Sequence, residues 1–169
     1  MTLSLRDAGP ADAEELTHFF KRSFTETFAH LYSPDDLDFF LAGRTPASLE
    51  RELRDPEFAF RIVEQDGAIV GYVKLGPPTL PFEPVGRPIE LRQLYVASHL
   101  HGSGVAGELT DWALAESRRR NATDVYLSVF VENHRARRFY DRYGFEPVGR
   151  YDFVVGNHVD EDLVMRKRL

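Results

Sequence analysis

The chain has 169 residues, 43% of them hydrophobic and 12% aromatic, which fits one globular domain spanning residues 1–169 and excludes intrinsic disorder. It contains no cysteine, which excludes disulfides, thiolate metal sites and cysteine nucleophiles. The net charge of −6 sits in residues 1–60, where 12 acids face six bases while the remainder is balanced; this disfavours a nucleic-acid partner and favours a cationic one.

Leu3-Ser4-Leu5 alternates as a short strand does, and Pro10 followed by Asp12, Glu14 and Glu15 marks a helix start. Leu16, Phe19, Phe20, Phe24, Phe28 and Leu31 recur at three- and four-residue intervals and lay one apolar stripe along that helix. Ser33-Pro34-Asp35 opens a second helical stretch, and Thr45-Pro46 a third reaching Arg54. Residues 58–63 and 68–75 form a hairpin about Asp66-Gly67, and the prolines from Pro77 to Pro88 impose an irregular loop. A strand from Ile89 to Val96 then leads into Gly102-Ser103-Gly104-Val105-Ala106-Gly107 and a helix to about Arg120. Asp124–Val131 reads as a strand, Asn133–Tyr143 as a helix, and the tail from Phe145 to Arg168 as two strands around Gly156-Asn157. Antiparallel hairpins combined with a strand-helix-strand crossover predict an α/β domain with a mixed sheet and helices on both faces.

Glycines at the mouth of a helix leave backbone N–H groups uncovered, and the helix dipole adds positive potential, so residues 102–107 form a candidate anion cradle. The same residues spell G-x-G-x-x-G with Asp124 at about the spacing of a ribose-binding acid, but Asp124 begins a strand and too little chain follows for a doubly wound dinucleotide domain.

Two patterns carry a more specific likeness. His101-Gly102-Ser103-Gly104-Val105-Ala106 follows Q/R-x-x-G-x-G/A with His in first place, and Asn133, Ala136, Tyr140, Gly144 and Phe145 complete Asn-x-x-Ala-x-x-x-Tyr-x-x-x-Gly-Phe. On these the chain, over roughly residues 58–150, resembles the GCN5-related N-acetyltransferase (GNAT) superfamily. A weaker likeness, through residues 23–28 and Gly71-Tyr72-Val73-Lys74, is to bacterial spermidine/spermine acetyltransferases.

The resemblance implies a single-domain GNAT-like fold whose mixed central sheet has a splayed edge, and acetyl-CoA as acyl donor. Leu94, Tyr95 and Val96 would offer backbone groups to the pantetheine arm; His101, Gly102, Ser103, Gly104, Val105, Ala106 and Gly107 would hold the pyrophosphate; Asn133 would touch the cofactor and also suits a helix N-cap. His101 keeps an N–H donor but gives up the fixed charge of arginine, so cofactor affinity is expected to be weaker or pH-dependent. Arg118-Arg119-Arg120 complements a helix dipole, Trp112 is expected in the core, and Arg135, Arg137, Arg138 and Arg142 form a solvated face from which one could reach the ribose phosphate.

An alkylamine with a pKa near ~10.4 is almost wholly protonated at neutral pH, so a base is required. Glu90, at the position of the catalytic glutamate of histone-type members, is the first candidate, although Arg92 could pair with it. Glu26 is the second, as base or as binder of the acceptor ammonium. A backbone N–H at the end of the strand near Val96 would receive the oxyanion, and Tyr140 matches the family's general acid, able to protonate the departing thiolate.

The leading expectation is acetyl transfer to a small primary amine, with polyamines among the acceptors suggested by the acidic first third. The alternatives are a protein lysine or N-terminus as acceptor, and a catalytically silent acetyl-CoA-binding module. No His/Asp/Glu spacing suggests a metal. No apolar run approaches the roughly 18 residues of a membrane span, and the N-terminus lacks a basic segment followed by an apolar one, so a cytoplasmic protein without a membrane partner is expected. The resemblance also allows a homodimer.

Overall fold

The computed structural model describes residues 2–83 and 85–169. In chain order the elements are β1 (Leu3–Asp7), α1 (Ala13–Phe28), α2 (Pro34–Ala42), α3 (Pro46–Arg54), β2 (Ala59–Gln65), β3 (Ala68–Gly76), β4 (Pro88–Val96), α4 (Val105–Arg119), β5 (Asp124–Phe130), α5 (His134–Arg142), β6 (Glu146–Val155) and β7 (His158–Arg168). The strands form one sheet in the order β1-β2-β3-β4-β5-β7-β6. Every neighbouring pair is antiparallel except β4 and β5, which the α4 crossover joins in parallel.

Local chemistry sets the boundaries. Ser33 and Thr45 cap α2 and α3 by accepting from the N–H groups of Asp36 and Ser48, and each cap is followed by proline at the first helical position. Asp66 and Gly67 take φ of 52° and 82°, as a two-residue hairpin turn demands. The apolar stripe of the first helix does not continue as α-helix to Leu31: α1 ends at Phe28, and one 3₁₀ turn over Ala29–Leu31 redirects the chain. That redirection places Tyr32 against the sheet, where its ring lies 6.0 Å from Phe24 in a stacked arrangement.

The two faces of the sheet carry separate cores. Leu16, Phe19, Phe20 and Phe24 of α1 pack on Phe60, Ile62 and Tyr72 on one face. Val105, Leu109 and Ala113 of α4 pack on Val63, Val73 and Val125 on the other, with Tyr140 and Phe145. Trp112, expected in the core, is only half-buried; its ring lies 5.9 Å from the Arg61 guanidinium, so it covers a cation at the border of the domain.

Part of the acidic first third is neutralised or hydrogen-bonded in place. Asp12 bonds Arg6, Asp7 bonds Arg61, Glu52 holds the buried Lys74 at 2.7 Å, and Glu15 accepts from the backbone of Ile69. Asp36 fastens α2 to the far hairpin by accepting from Asn157 N at 2.9 Å. At Gly156 beside it, φ is +57° and an added Cβ would lie 2.7 Å from the Asp36 Cα. Gly156→Ala is therefore expected to destabilise the fold by about 2 kcal/mol, because a left-handed backbone conformation and a backbone collision add. Denaturant melts, with Asn157→Ala as a neighbouring control expected to change little, would measure it.

Candidate active site

β4 and β5 are hydrogen-bonded only where Pro88–Glu90 face Asp124–Tyr126. Beyond that point β3 holds β4 as far as Val96, while β7 holds β5 as far as Phe130, and the two halves of the sheet part company. The splay thus falls in the middle of the sheet, and it exposes strand edges whose N–H and C=O groups have no ladder partner. It opens into a cavity of about 810 Å³ with α1 on one side and α4 and α5 on the other.

The glycine turn stands at the mouth. Gly102 and Gly104 have φ of +80° and +92°, and Gly104 is the N-cap of α4. Ser103 N bonds back to Leu100 O, and the first helical bond runs from Glu108 N to Gly104 O. Among the described residues, the N–H groups of Gly102, Gly104, Ala106 and Gly107 find no acceptor, as a helix start without a side-chain cap requires. Such a cradle fits a pyrophosphate through backbone donors and the helix dipole.

His101 does not stand alone in the loop. Arg135 donates to its Nδ1 at 2.6 Å, and its Nε2 lies 3.0 Å from the carbonyl of Val96, an arrangement that the Nε2–H tautomer satisfies. A guanidinium is thereby brought to the mouth of the cavity, which both residues line. Asn133 caps α5 by accepting from Ala136 N at 3.3 Å and also lines the cavity. Leu94, Tyr95 and Val96 lie on the parted stretch of β4.

Tyr140 is 8% exposed, and its ring packs edge-on against Phe139 and Phe145 at centroid distances of 5.3 and 5.6 Å. Its hydroxyl has no hydrogen-bond partner among the described residues, and burial raises its pKa, so the group keeps its proton. Packing and access to the cavity coexist in this one side chain.

Glu90 is placed otherwise than the sequence suggests. It is 5% exposed, it does not line the cavity, and its carboxylate accepts from Thr79 N at 2.9 Å, Thr79 Oγ1 at 3.1 Å and Leu80 N at 3.2 Å. Arg92 lies 3.7 Å away and itself donates to Pro77 O. The pair ties down the proline-rich loop, and Glu90 sits there as a loop anchor outside the cavity. Glu26, in contrast, does line the cavity from α1, together with Ser23, Phe24, Thr27 and Phe28 of the same segment. Lys74, from the other segment of the weaker likeness, is occupied by Glu52 outside the cavity.

Sequence reasoning missed the far end of the cavity. Asp160 and Asp162 of β7, each 6% exposed, line it with Tyr32 and Phe153. The Tyr32 hydroxyl and His158 Nε2 both donate to Asp160. Among the described residues Asp162 has no cationic partner, and burial, opposed by the nearby Ser128 hydroxyl and reinforced by the charge of Asp160, leaves its pKa raised to about 7. The run Asp160-Glu161-Asp162 on a strand offers no local reason to place two of its acids inward and near Tyr32.

A parted sheet with free backbone donors at one end of the opening and a buried phenol beside it has the room and the donors for an extended anionic ligand between its strands. The sequence pattern of the acetyltransferase (GNAT) family matches residues 13–145, and the chain belongs to that family. It is an acetyl-CoA-dependent N-acetyltransferase. The uncharacterized N-acetyltransferase Rv2669 of Mycobacterium tuberculosis is 33% identical over 159 residues, covering 94% of this chain and 98% of its own. Among solved structures, the PaiA N-acetyltransferase of Thermoplasma acidophilum in complex with coenzyme A superposes with a TM-score of 0.79 at 19% identity over all of both chains. The ribosomal-protein-alanine N-acetyltransferase of Brucella melitensis does so with a TM-score of 0.73 at 27% identity, covering 98% of this chain and 99% of its own. Among the described residues no helix is long and apolar enough to cross a membrane, and no group of three or more His, Asp or Glu could hold a metal ion.

Proposed function

We propose that the chain acetylates the primary amine of a small molecule, polyamines being among the candidate acceptors. The observation that carries this reading is the cavity between the parted strands, which has backbone donors at its mouth, the Tyr140 hydroxyl inside it, and carboxylates at its far end. Acetyl-CoA supplies a thioester, an acyl group already activated toward nitrogen. The free N–H groups of residues 102–107 would hold its pyrophosphate, the edge of Leu94, Tyr95 and Val96 its pantetheine arm, and Asn133 a further contact. Tyr140 would give its phenolic proton to the departing sulfur. Of the acids in the first third, Asp7, Asp12, Glu50 and Glu52 are ion-paired, and Glu26 is the one that lines the cavity, which makes it a candidate for binding the acceptor ammonium.

Thiol release measured across alkylamines, polyamines, aminoglycosides, amino acids and peptides tests the function, with calorimetry of acetyl-CoA beside it. Turnover with small amines is the expected result; binding without thiol release from any of them would mean a silent binding module. The likeness to the Brucella melitensis enzyme favours a second reading, a protein N-terminus as acceptor. A higher kcat/KM for peptides than for alkylamines would establish that one.

Arg135 offers a test of the cofactor end. Its guanidinium holds His101 and brings a fixed positive charge to the mouth of the cavity, so Arg135→Ala is expected to weaken coenzyme A binding roughly fivefold at low salt. The difference should shrink in 0.5 M salt, as calorimetry at two ionic strengths would reveal.

A further inference from the structure

The acceptor end of the cavity has a chemistry of its own. Antiparallel register places Phe130 and Tyr151 directly across from Asp162, and Phe153 across from Asp160, so these side chains share one face of the sheet. Phe24, Phe28 and Tyr32 close over that face from the first helical segment, with Phe24 4.7 Å from Phe40 and Phe28 6.4 Å from Phe130 between ring centroids. Aromatic walls around a buried carboxylate favour a cation with an apolar body over an anion or a neutral polar molecule.

The two aspartates differ in their partners. Asp160 is spoken for by Tyr32 and His158, whereas Asp162 has no ion-pair partner among the described residues and lines the cavity. The titratable groups facing Asp162 are Asp160 on its own strand, Tyr32, Tyr95 on β4 and Tyr151 on β6, with His158 behind Asp160; Glu26 lines the same cavity from α1. None of them is paired with it as a cation. Tyr95 feels both Tyr140 and Asp162, which puts the proposed acid and this carboxylate around one side chain.

Resting on acetyl transfer to an amine, we infer that Asp162 is the base that deprotonates the acceptor, and that the acceptor is a primary alkylamine or arylalkylamine whose carbon body lies along Phe24, Phe28, Tyr32 and Phe153. An Asp162 oxygen takes one proton from the ammonium, freeing the nitrogen lone pair. The C–N bond forms as the C–S bond breaks, Tyr140 gives its proton to sulfur and is restored by the second nitrogen proton, and Asp162 passes its proton to solvent, so that each acetylation releases one amide, one thiol and one proton. A carboxylate with a pKa of about 7 suits this task, being ionised at working pH yet basic enough to accept.

The test uses butylamine and phenethylamine as acceptors, butanol as neutral control, and the full chain in wild-type and Asp162→Asn form. In the wild type, kcat is expected to rise with pH through about 7 and level off. Asp162→Asn should lower kcat at least tenfold and remove that rise, while coenzyme A binding stays within twofold. Carbon-13 NMR of aspartate carboxyls in the ligand-free wild type should show one group titrating near 7 that Asp162→Asn lacks. Because the folded-state pKa lies above the unfolded one, Asp162 favours the fold only at low pH and loses that contribution as pH rises toward 7. Asp162→Asn should therefore raise Tm more at pH 8 than at pH 5. A pH rise that persists in Asp162→Asn, or an Asp162 that titrates below 5, overturns the assignment even where the wild type acetylates amines. A wild type that binds acetyl-CoA and releases no thiol to any amine overturns the underlying function together with it.

Discussion

Tyr140→Phe is expected to lower kcat at least tenfold while coenzyme A affinity stays within a few-fold. The substitution removes one oxygen from a ring held by Phe139 and Phe145 and leaves the packing in place, so the fold and the cofactor cradle should survive. What is lost is a proton on an atom inside the cavity, kept there because burial disfavours the phenolate. A tenfold loss corresponds to about 1.4 kcal/mol of transition-state stabilisation, within the range of a single general acid. Steady-state thiol release and calorimetry on the same preparation would check it, and an unchanged kcat would remove Tyr140 from the chemistry.

Glu90→Ala should destabilise the protein by about 2 kcal/mol while leaving the pH dependence of kcat in place. The carboxylate satisfies two backbone N–H groups and a hydroxyl, and its removal strands those donors and releases Arg92 from its neighbour. In a chain of this length that corresponds to roughly 4–8 °C in Tm. A melt identical to the wild type combined with loss of the pH-dependent limb of kcat would instead return Glu90 to the role of base. Glu90 and Asp162 thus make opposite predictions, one losing stability and keeping the profile, the other keeping cofactor affinity and losing it.

The contrast explains what could be read in advance. Glu90 sits on a clear strand next to the glycine turn, and nothing local reveals that a loop 10 residues back in the chain returns its donors to that carboxylate. Asp160 and Asp162 lie in the run Asp160-Glu161-Asp162, and a run of acids reads as a solvated strand end. Only the insertion of β7 between β5 and β6, and the closure of Tyr32 over it, turns those acids inward. His101 departs from the family motif, and its partner Arg135 is 34 residues away in the chain, on α5, where nothing local announces the pairing.

Local chemistry fixed the elements: proline and hydroxyl caps, the Asp-Gly turn, the apolar stripe of α1, and glycines free to take positive φ ahead of α4. Each depends on residues within one or two turns of the backbone, so the sequence alone could determine them. The acceptor end depended on contacts between residues more than 100 positions apart, as between Tyr32 and Asp160. Whether a carboxylate is an anchor, a neutralised surface charge or a base is set by which donors reach it and how much water is excluded, and only the tertiary structure decided that.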